Sequence, residues 1–371
     1  MRNIELFIQL VRLGIGHPAG QIFCDIDWKE VQTHAERQGL SAVVLDGLNS
    51  LPISAYSLPL EMKLEWIGDV IQNYEGRYSE YKKAIVSLAG FYNQHGFKVM
   101  VLKGYACSLN WPKPEHRPCG DIDIWQFGKQ READKALLKE NDNRIEIDNL
   151  HHHHSVFEWG EFTVENHYDF INVHHHRSSA ELESIFKELG MDDSHYVEMA
   201  DTSTPSTGSG TGSATKVYLP SPNLHALFLL KHSMSDFAAF YITLRQVLDW
   251  AFFIEKHTGE IDWDWLKNVM EMYHMTEFFN TINAICVENL GFESRIFPYV
   301  QFNPFLKDKV LDDIMNPRFP REEPRGLITR LVFKYRRWKG NAWKHELCYN
   351  ESMWSAFWSG VWNHVTKPAS I

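Results

Sequence analysis

Cysteine is sparse in this chain of 371 residues: Cys24, Cys107, Cys119, Cys286 and Cys348 are scattered, with no C-x-x-C spacing and an odd total. That pattern excludes a disulfide framework and fits a reducing cytoplasm. Long apolar runs are missing as well. No stretch approaches the roughly 18 apolar residues that a spanning helix needs. The opening MRNIELFIQLVRLGIGH lacks the apolar core and small-residue cleavage site of a secretory signal. A soluble, cytoplasmic protein without a transmembrane segment is expected. Basic charge is in deficit: 37 Lys and Arg face 48 Asp and Glu, giving a formal net charge of −11. An extended nucleic-acid surface usually shows a basic stripe, so none is expected over the whole molecule. One local exception is LITRLVFKYRRWKGNAWKH, which mixes Arg330, Lys334, Arg336, Arg337, Lys339 and Lys344 with Phe and Trp. Such a segment suits phosphate backbones or anionic lipid; a basic helix packed on an acidic body is the plainer alternative.

What is present is ample core material, with 44% hydrophobic and 13% aromatic residues over a length that exceeds one typical domain. Residues 1–95 read as helical, with apolar positions three and four apart in IELFIQLVRL, AVVLDGLNSL and WIGDVIQNYEGRYSEYKKAIVSLAGFY. Over 96–201 strands and helices alternate: KVMVLK, a helix from Gly104, DIDIWQF, READKALLKEN, RIEID, HHSVFEW, FTVENHYDF and a helix from SSAELESIFKELG. The Gly/Ser/Thr-rich segment 202–216 reads as a linker or exposed loop. A C-terminal helical region follows over 217–371.

Within DIDIW, strand alternation puts Asp121 and Asp123 on one face and Ile122 and Ile124 on the other. Two like charges this close raise each other's pKa unless a cation intervenes. A divalent metal meets that need, because Mg²⁺ favours one or two carboxylates plus substrate phosphates. A solvated strand edge with two surface acids is the plain alternative. Upstream, a short apolar strand ends at Lys103 and Gly104 and leads into a helix start, which gathers free N–H groups and a positive charge suited to phosphate. The intervening NWPKPEHRPCG holds three prolines and reads as a loop that carries Arg117, a residue able to pair with acids or grip a triphosphate. Downstream, alternation in EFTVENHYDF puts Glu165, His167 and Asp169 on one face. An edge strand with a polar solvent face explains that strand equally well.

The pattern Leu102-Lys103-Gly104, Arg117, Gly120-Asp121-Ile122-Asp123 and Glu165-x-His167 resembles the nucleotidyltransferase superfamily, and within it a group of uncharacterised nucleotidyltransferases. LLKHSMSDFAAFYITLRQVLDW, with His232, Arg245 and Asp249, is similar to that group's C-terminal helical region. The resemblance implies an α+β, polymerase-β-like core with a mixed sheet, flanked by helical regions. It further implies that Asp121, Asp123 and a third carboxylate hold Mg²⁺ or Mn²⁺, with Glu165 favoured and Asp169 in reserve. Glu165 is also expected to orient the acceptor hydroxyl and take its proton. Lys103, the Gly104 turn, Arg117 and Arg245 are expected to hold the phosphates of ATP or another NTP. The acceptor, whether small molecule, sugar, RNA end or protein, is not readable. Tyr105 stands where the wider superfamily commonly has Ser after the glycine.

Two histidine tracts, 151–154 and 174–176, admit another chemistry, since clustered imidazoles bind zinc. On a strand only alternate members share a face, so polar lining beside the cleft, with His167 next to Glu165, is the expected role. A His-rich metal-dependent hydrolase and a non-catalytic nucleotide- or protein-binding module remain as alternatives. For Arg245 and Asp249, an ion pair on one helix face is expected.

Overall fold

The computed structural model describes residues 2–20, 26–52, 56–142, 144–149, 153–173, 176–200 and 214–354. Cys24, His151, His152, His174, His175 and most of the 202–216 segment lie outside them. In chain order, α1 (Arg2–Gly14), α2 (Trp28–Gln38), α3 (Ser41–Asn49), α4 (Leu60–Asp69) and α5 (Arg77–Gln94) come first. The mixed region follows as β1 (Met100–Val101), α6 (Tyr105–Ser108), β2 (Ile122–Trp125), α7 (Gln130–Glu140), β3 (His154–Trp159), β4 (Phe162–His167), α8 (Arg177–Leu189), β5 (Tyr196–Met199) and β6 (Thr215–Tyr218). Helices α9 (Pro222–Ala239), α10 (Leu244–His257), α11 (Trp263–Met272), α12 (Thr276–Ala284), α13 (Pro304–Met315), α14 (Leu327–Gly340) and α15 (Ala342–Cys348) complete the described chain.

These elements form two compact units. One comprises Met1–Tyr74, Asn110–Arg117 and Leu229–Met353; the other is built from Glu75–Leu109 and Pro118–Phe228.

The second unit holds a six-stranded sheet in the order β3-β4-β2-β1-β6-β5. It is mixed: β2 runs parallel to β4 and β1 parallel to β6, while β1–β2, β3–β4 and β5–β6 are antiparallel. One face is apolar. Tyr81, Ile85, Leu88, Ala89 and Tyr92 recur at helical spacing on α5 and pack with Ala133 and Leu137 of α7 over Ile122, Ile124 and Val164. Burying each of these aliphatic side chains contributes about 1.5–3 kcal/mol. The same face holds one polar island. Asp134 of α7 accepts hydrogen bonds from Asn166 Nδ2 and Ser155 Oγ, each at 2.8 Å.

Both β2 and β4 lie inside the sheet, so neither is the solvated edge that their acids alone allowed. The strand expected over RIEID reduces to an isolated bridge between Asp148 and Val156. The helix expected from Gly104 is a single turn, Tyr105–Ser108, too short to build a strong dipole. Tyr105 faces the apolar core.

In the first unit, the Pro-rich loop is held by two acids. Asp46 of α3 takes Lys113 Nζ at 2.6 Å and His116 Nδ1 at 2.7 Å. Asp249 of α10 takes Trp111 Nε1 at 2.8 Å. No helix among the described residues is long and apolar enough to cross a membrane.

Candidate active site

Strand register assembles the site. Asp123 stands opposite Glu165 across the parallel β2–β4 pair, and His154 stands opposite His167 across the antiparallel β3–β4 pair. Because Glu165 and His167 are two residues apart, all four side chains share the face opposite the apolar core. Asp123, Glu165 and His167 present ligand atoms within 4.8 Å of one another, and His153, His154 and His167 form a second such group. Asp121 precedes β2, is exposed, and lies outside both groups. Its carbonyl accepts the Tyr81 hydroxyl at 2.9 Å, which fixes the backbone where the strand begins.

Charge is balanced inside this cluster. Asp123 is 5% exposed, yet Lys103 Nζ lies 2.7 Å from its Oδ1 and His167 Nε2 lies 3.2 Å from the same atom. Burial pushes the Asp123 carboxyl up, but the Lys103 charge and the His167 hydrogen bond outweigh it and hold the group well below the usual carboxylate range. His167 faces acceptors on both nitrogens. Nδ1 is 3.2 Å from the Asp169 carbonyl, while Nε2 faces Asp123 and, at 3.6 Å, Glu165 Oε2. Burial disfavours the imidazolium, yet those two carboxylates raise its pKa to about 9. Glu165 is lowered, chiefly by the hydrogen bond from His167. Asp121 is raised by partial burial and then by the Glu165 and Asp123 charges.

Gly104 has φ +52°, and a Cβ there would sit 2.0 Å from the Tyr81 hydroxyl. Glycine is required by both conformation and contact. Lys103, on its N-terminal side, is thereby aimed at Asp123.

The remaining predicted residues fall elsewhere. Asp169 follows β4 and pairs with Lys187 of α8, so its carboxylate is turned to that helix. Arg117, read above as a phosphate grip, is 6% exposed and spends its planar fork on Asp249, with Nε to Oδ1 at 2.7 Å and Nη2 to Oδ2 at 2.9 Å. Asp249, expected to pair with Arg245, meets the Arg117 fork with both carboxylate oxygens. Arg245 is half-buried on α10, and its charge acts on the Tyr74 phenol. His232 Nε2 lies 3.4 Å from Asp236 one turn along α9.

His154, one of the tract expected to line the cleft, meets His167 through the β3–β4 register, which no local spacing encodes. One contributor escaped the sequence. Glu183 of α8 accepts the N–H groups of Phe170 at 3.0 Å and Ile171 at 3.1 Å, steadying the exit of β4. A lone Glu on an amphipathic helix gives no signal of such a role.

A central pair of strands bearing paired acids, preceded by a Lys-Gly turn, defines the class: a nucleotidyltransferase-type α+β core. The model of a family described as uncharacterised nucleotidyltransferase matches residues 25–291, and the chain belongs to that family. Comparison with curated proteins and with solved structures returns no match.

Proposed function

We propose that the protein moves a nucleoside monophosphate from an NTP to an acceptor hydroxyl and releases pyrophosphate. The observation that supports this most is the Asp123–Glu165 register, which seats two carboxylates and the His167 imidazole on one sheet face. The donor set fits a divalent cation: Asp123 and Glu165, held ionised by Lys103 and His167, need only exchange partners. Asp121, Asp123 and Glu165 would hold Mg²⁺ or Mn²⁺, and the imidazole in the set favours Mn²⁺ over Mg²⁺. When bound, such an ion neutralises phosphate charge and polarises the α-phosphoryl group.

The chain's own groups divide the rest. Lys103 leaves Asp123 for the triphosphate, while the Gly104 turn offers backbone N–H. Glu165 orients the acceptor hydroxyl and takes its proton as the new O–P bond forms and the bond to pyrophosphate breaks. Positioning and charge neutralisation supply most of the rate. The acceptor class stays open among small molecule, sugar, RNA end and protein, and a cytoplasmic setting is proposed with it.

Thermal melts of wild type and Asp123→Asn with each NTP, with and without Mg²⁺ or Mn²⁺, test this reading. A ligand at a hundredfold its Kd adds about 2.7 kcal/mol, a shift of a few degrees. A metal-dependent shift in wild type that is absent from the variant is expected. Equal shifts in both, or none with any NTP, would refute it.

A second reading draws on the group His153, His154 and His167, whose ligand atoms also converge within 4.8 Å. Three imidazoles suit zinc, and a zinc-dependent hydrolase follows. Elemental analysis of purified protein discriminates: about one zinc per chain supports it, and none removes it.

A further inference from the structure

Helix α14, LITRLVFKYRRWKG, carries five basic residues and no acid, and none of its residues is buried. The plainer alternative for this segment, a basic helix packed on an acidic body, holds for one face of α14 only. Leu327, Leu331 and Tyr335 lie at successive four-residue steps, with Ile328 and Val332 beside them, so the five occupy one face. All are exposed: Ile328 at 77%, Leu331 at 58% and Tyr335 at 58%.

The opposite face is the anchored one. Arg337 stacks 4.2 Å over the Phe240 ring, and Phe333 meets Phe319 edge to face. Glu323 receives Arg330 at 3.1 Å, Lys334 at 3.5 Å and Arg337 at 3.3 Å. One acid thus serves three cations, and Arg336 and Lys339 add further positive charge. A contiguous aliphatic stripe with basic flanks, on a chain of net charge −11, marks an interaction surface.

We propose that α14 docks on the surface of an anionic lipid bilayer. Its aliphatic face enters the boundary between headgroups and acyl chains, and its Arg and Lys side chains meet the lipid phosphates. The chemistry selects this occupant. Four of the five stripe residues are Leu, Ile or Val, with no stacking surface to offer nucleic-acid bases, and Tyr335 is the one ring among them. A symmetric contact between two copies would set five cations against five cations. The acidic body is repelled by an anionic surface, so this locally positive helix is the part that approaches it.

Co-sedimentation of the full chain with vesicles tests the inference. Binding is expected to vesicles holding about one-third phosphatidylserine, to be at least about tenfold weaker on pure phosphatidylcholine, and to fall as salt shortens the Debye length below about 5 Å. The double variant Ile328→Glu with Leu331→Glu changes only exposed side chains, so an unchanged melting temperature certifies its fold. At least about a tenfold loss of binding is expected from it. Failure of wild type to bind anionic vesicles overturns the proposal, as does a folded double variant that binds like wild type. A wild-type dimer in sedimentation equilibrium that the double variant abolishes assigns the stripe to a second copy, and also overturns it.

Discussion

Replacing His167 by Gln isolates the charge at the centre of the site. Gln offers a neutral N–H donor in place of Nε2–H, so the hydrogen bond to Asp123 has a substitute while the titrating cation is lost. In wild type the imidazole pKa rises from its ordinary 6.5 to about 9 because Asp123 and Glu165 outweigh the cost of burial. A group with a raised folded-state pKa contributes stability that is fully present below the unfolded pKa and is lost as pH climbs through the folded one. A difference of about 2.5 pH units corresponds to about 3 kcal/mol at most. Wild type should therefore exceed His167→Gln in unfolding free energy by about 2–3 kcal/mol at pH 6, with the gap narrowing across pH 6.5 to 9 and nearly closed by about pH 10. Urea unfolding in EDTA at four or five pH values measures it, chelator keeping divalent ions from the carboxylates. Comparing the two proteins cancels other groups that titrate in the same range. Parallel stability curves would show that His167 carries no excess proton, and the electrostatic account of the site would fail.

Gly104→Ala adds a left-handed backbone cost and a collision with Tyr81, so a loss of about 2–5 kcal/mol is expected in chemical unfolding; Tyr81→Phe in the same chain should restore part of it, and a neutral Gly104→Ala would refute the steric reading. Arg117→Ala strands the buried Asp249 carboxylate and should cost about 3–5 kcal/mol, whereas Arg117→Lys should fall between, because it keeps the charge and loses the fork. Lys231 is 2% exposed, over the Tyr349 ring at 4.5 Å, and burial lowers its pKa to about 8. Its burial cost is complete below pH 8 and relieved as pH rises towards about 10.5, so Lys231→Met should be at least as stable as wild type at pH 7, with the advantage shrinking on the alkaline side. A variant less stable at pH 7 than at pH 10, relative to wild type, would reverse the sign.

The site was legible where chemistry sits in a local period. Asp123, Glu165 and His167 stand out because carboxylates and an imidazole interrupt apolar strands at two-residue spacing, and Gly104 because it breaks a strand–helix passage. Register was not legible. Nothing in HHSVFEW states that His154 will face His167, since strand pairing is set by the hairpin and the whole sheet. Arg117 misled for a related reason: within a Pro-rich loop it resembles a free cation, and only the fold brings α10 and Asp249 to meet it. Asp169 misled because the strand ends at His167, after which alternation no longer applies. The α+β class was legible from alternating element types, whereas the mixed strand order, with β1 between β2 and β6, depends on the β1–β6 pairing of Met100 with Tyr218, more than a hundred residues apart.

Lys103 resting on Asp123 has a consequence for how the protein comes to exist. Many acidic metal centres repel themselves when empty and stay loose until the ion arrives. Here the chain supplies Asp123 with a counterion of its own, so this buried acid is neutralised as the sheet closes. Under the proposed reading, loading is then an exchange: the lysine moves off as ion and triphosphate arrive together, and neither gains a full welcome alone. On that reading, coincidence of the two partners is written into one side chain.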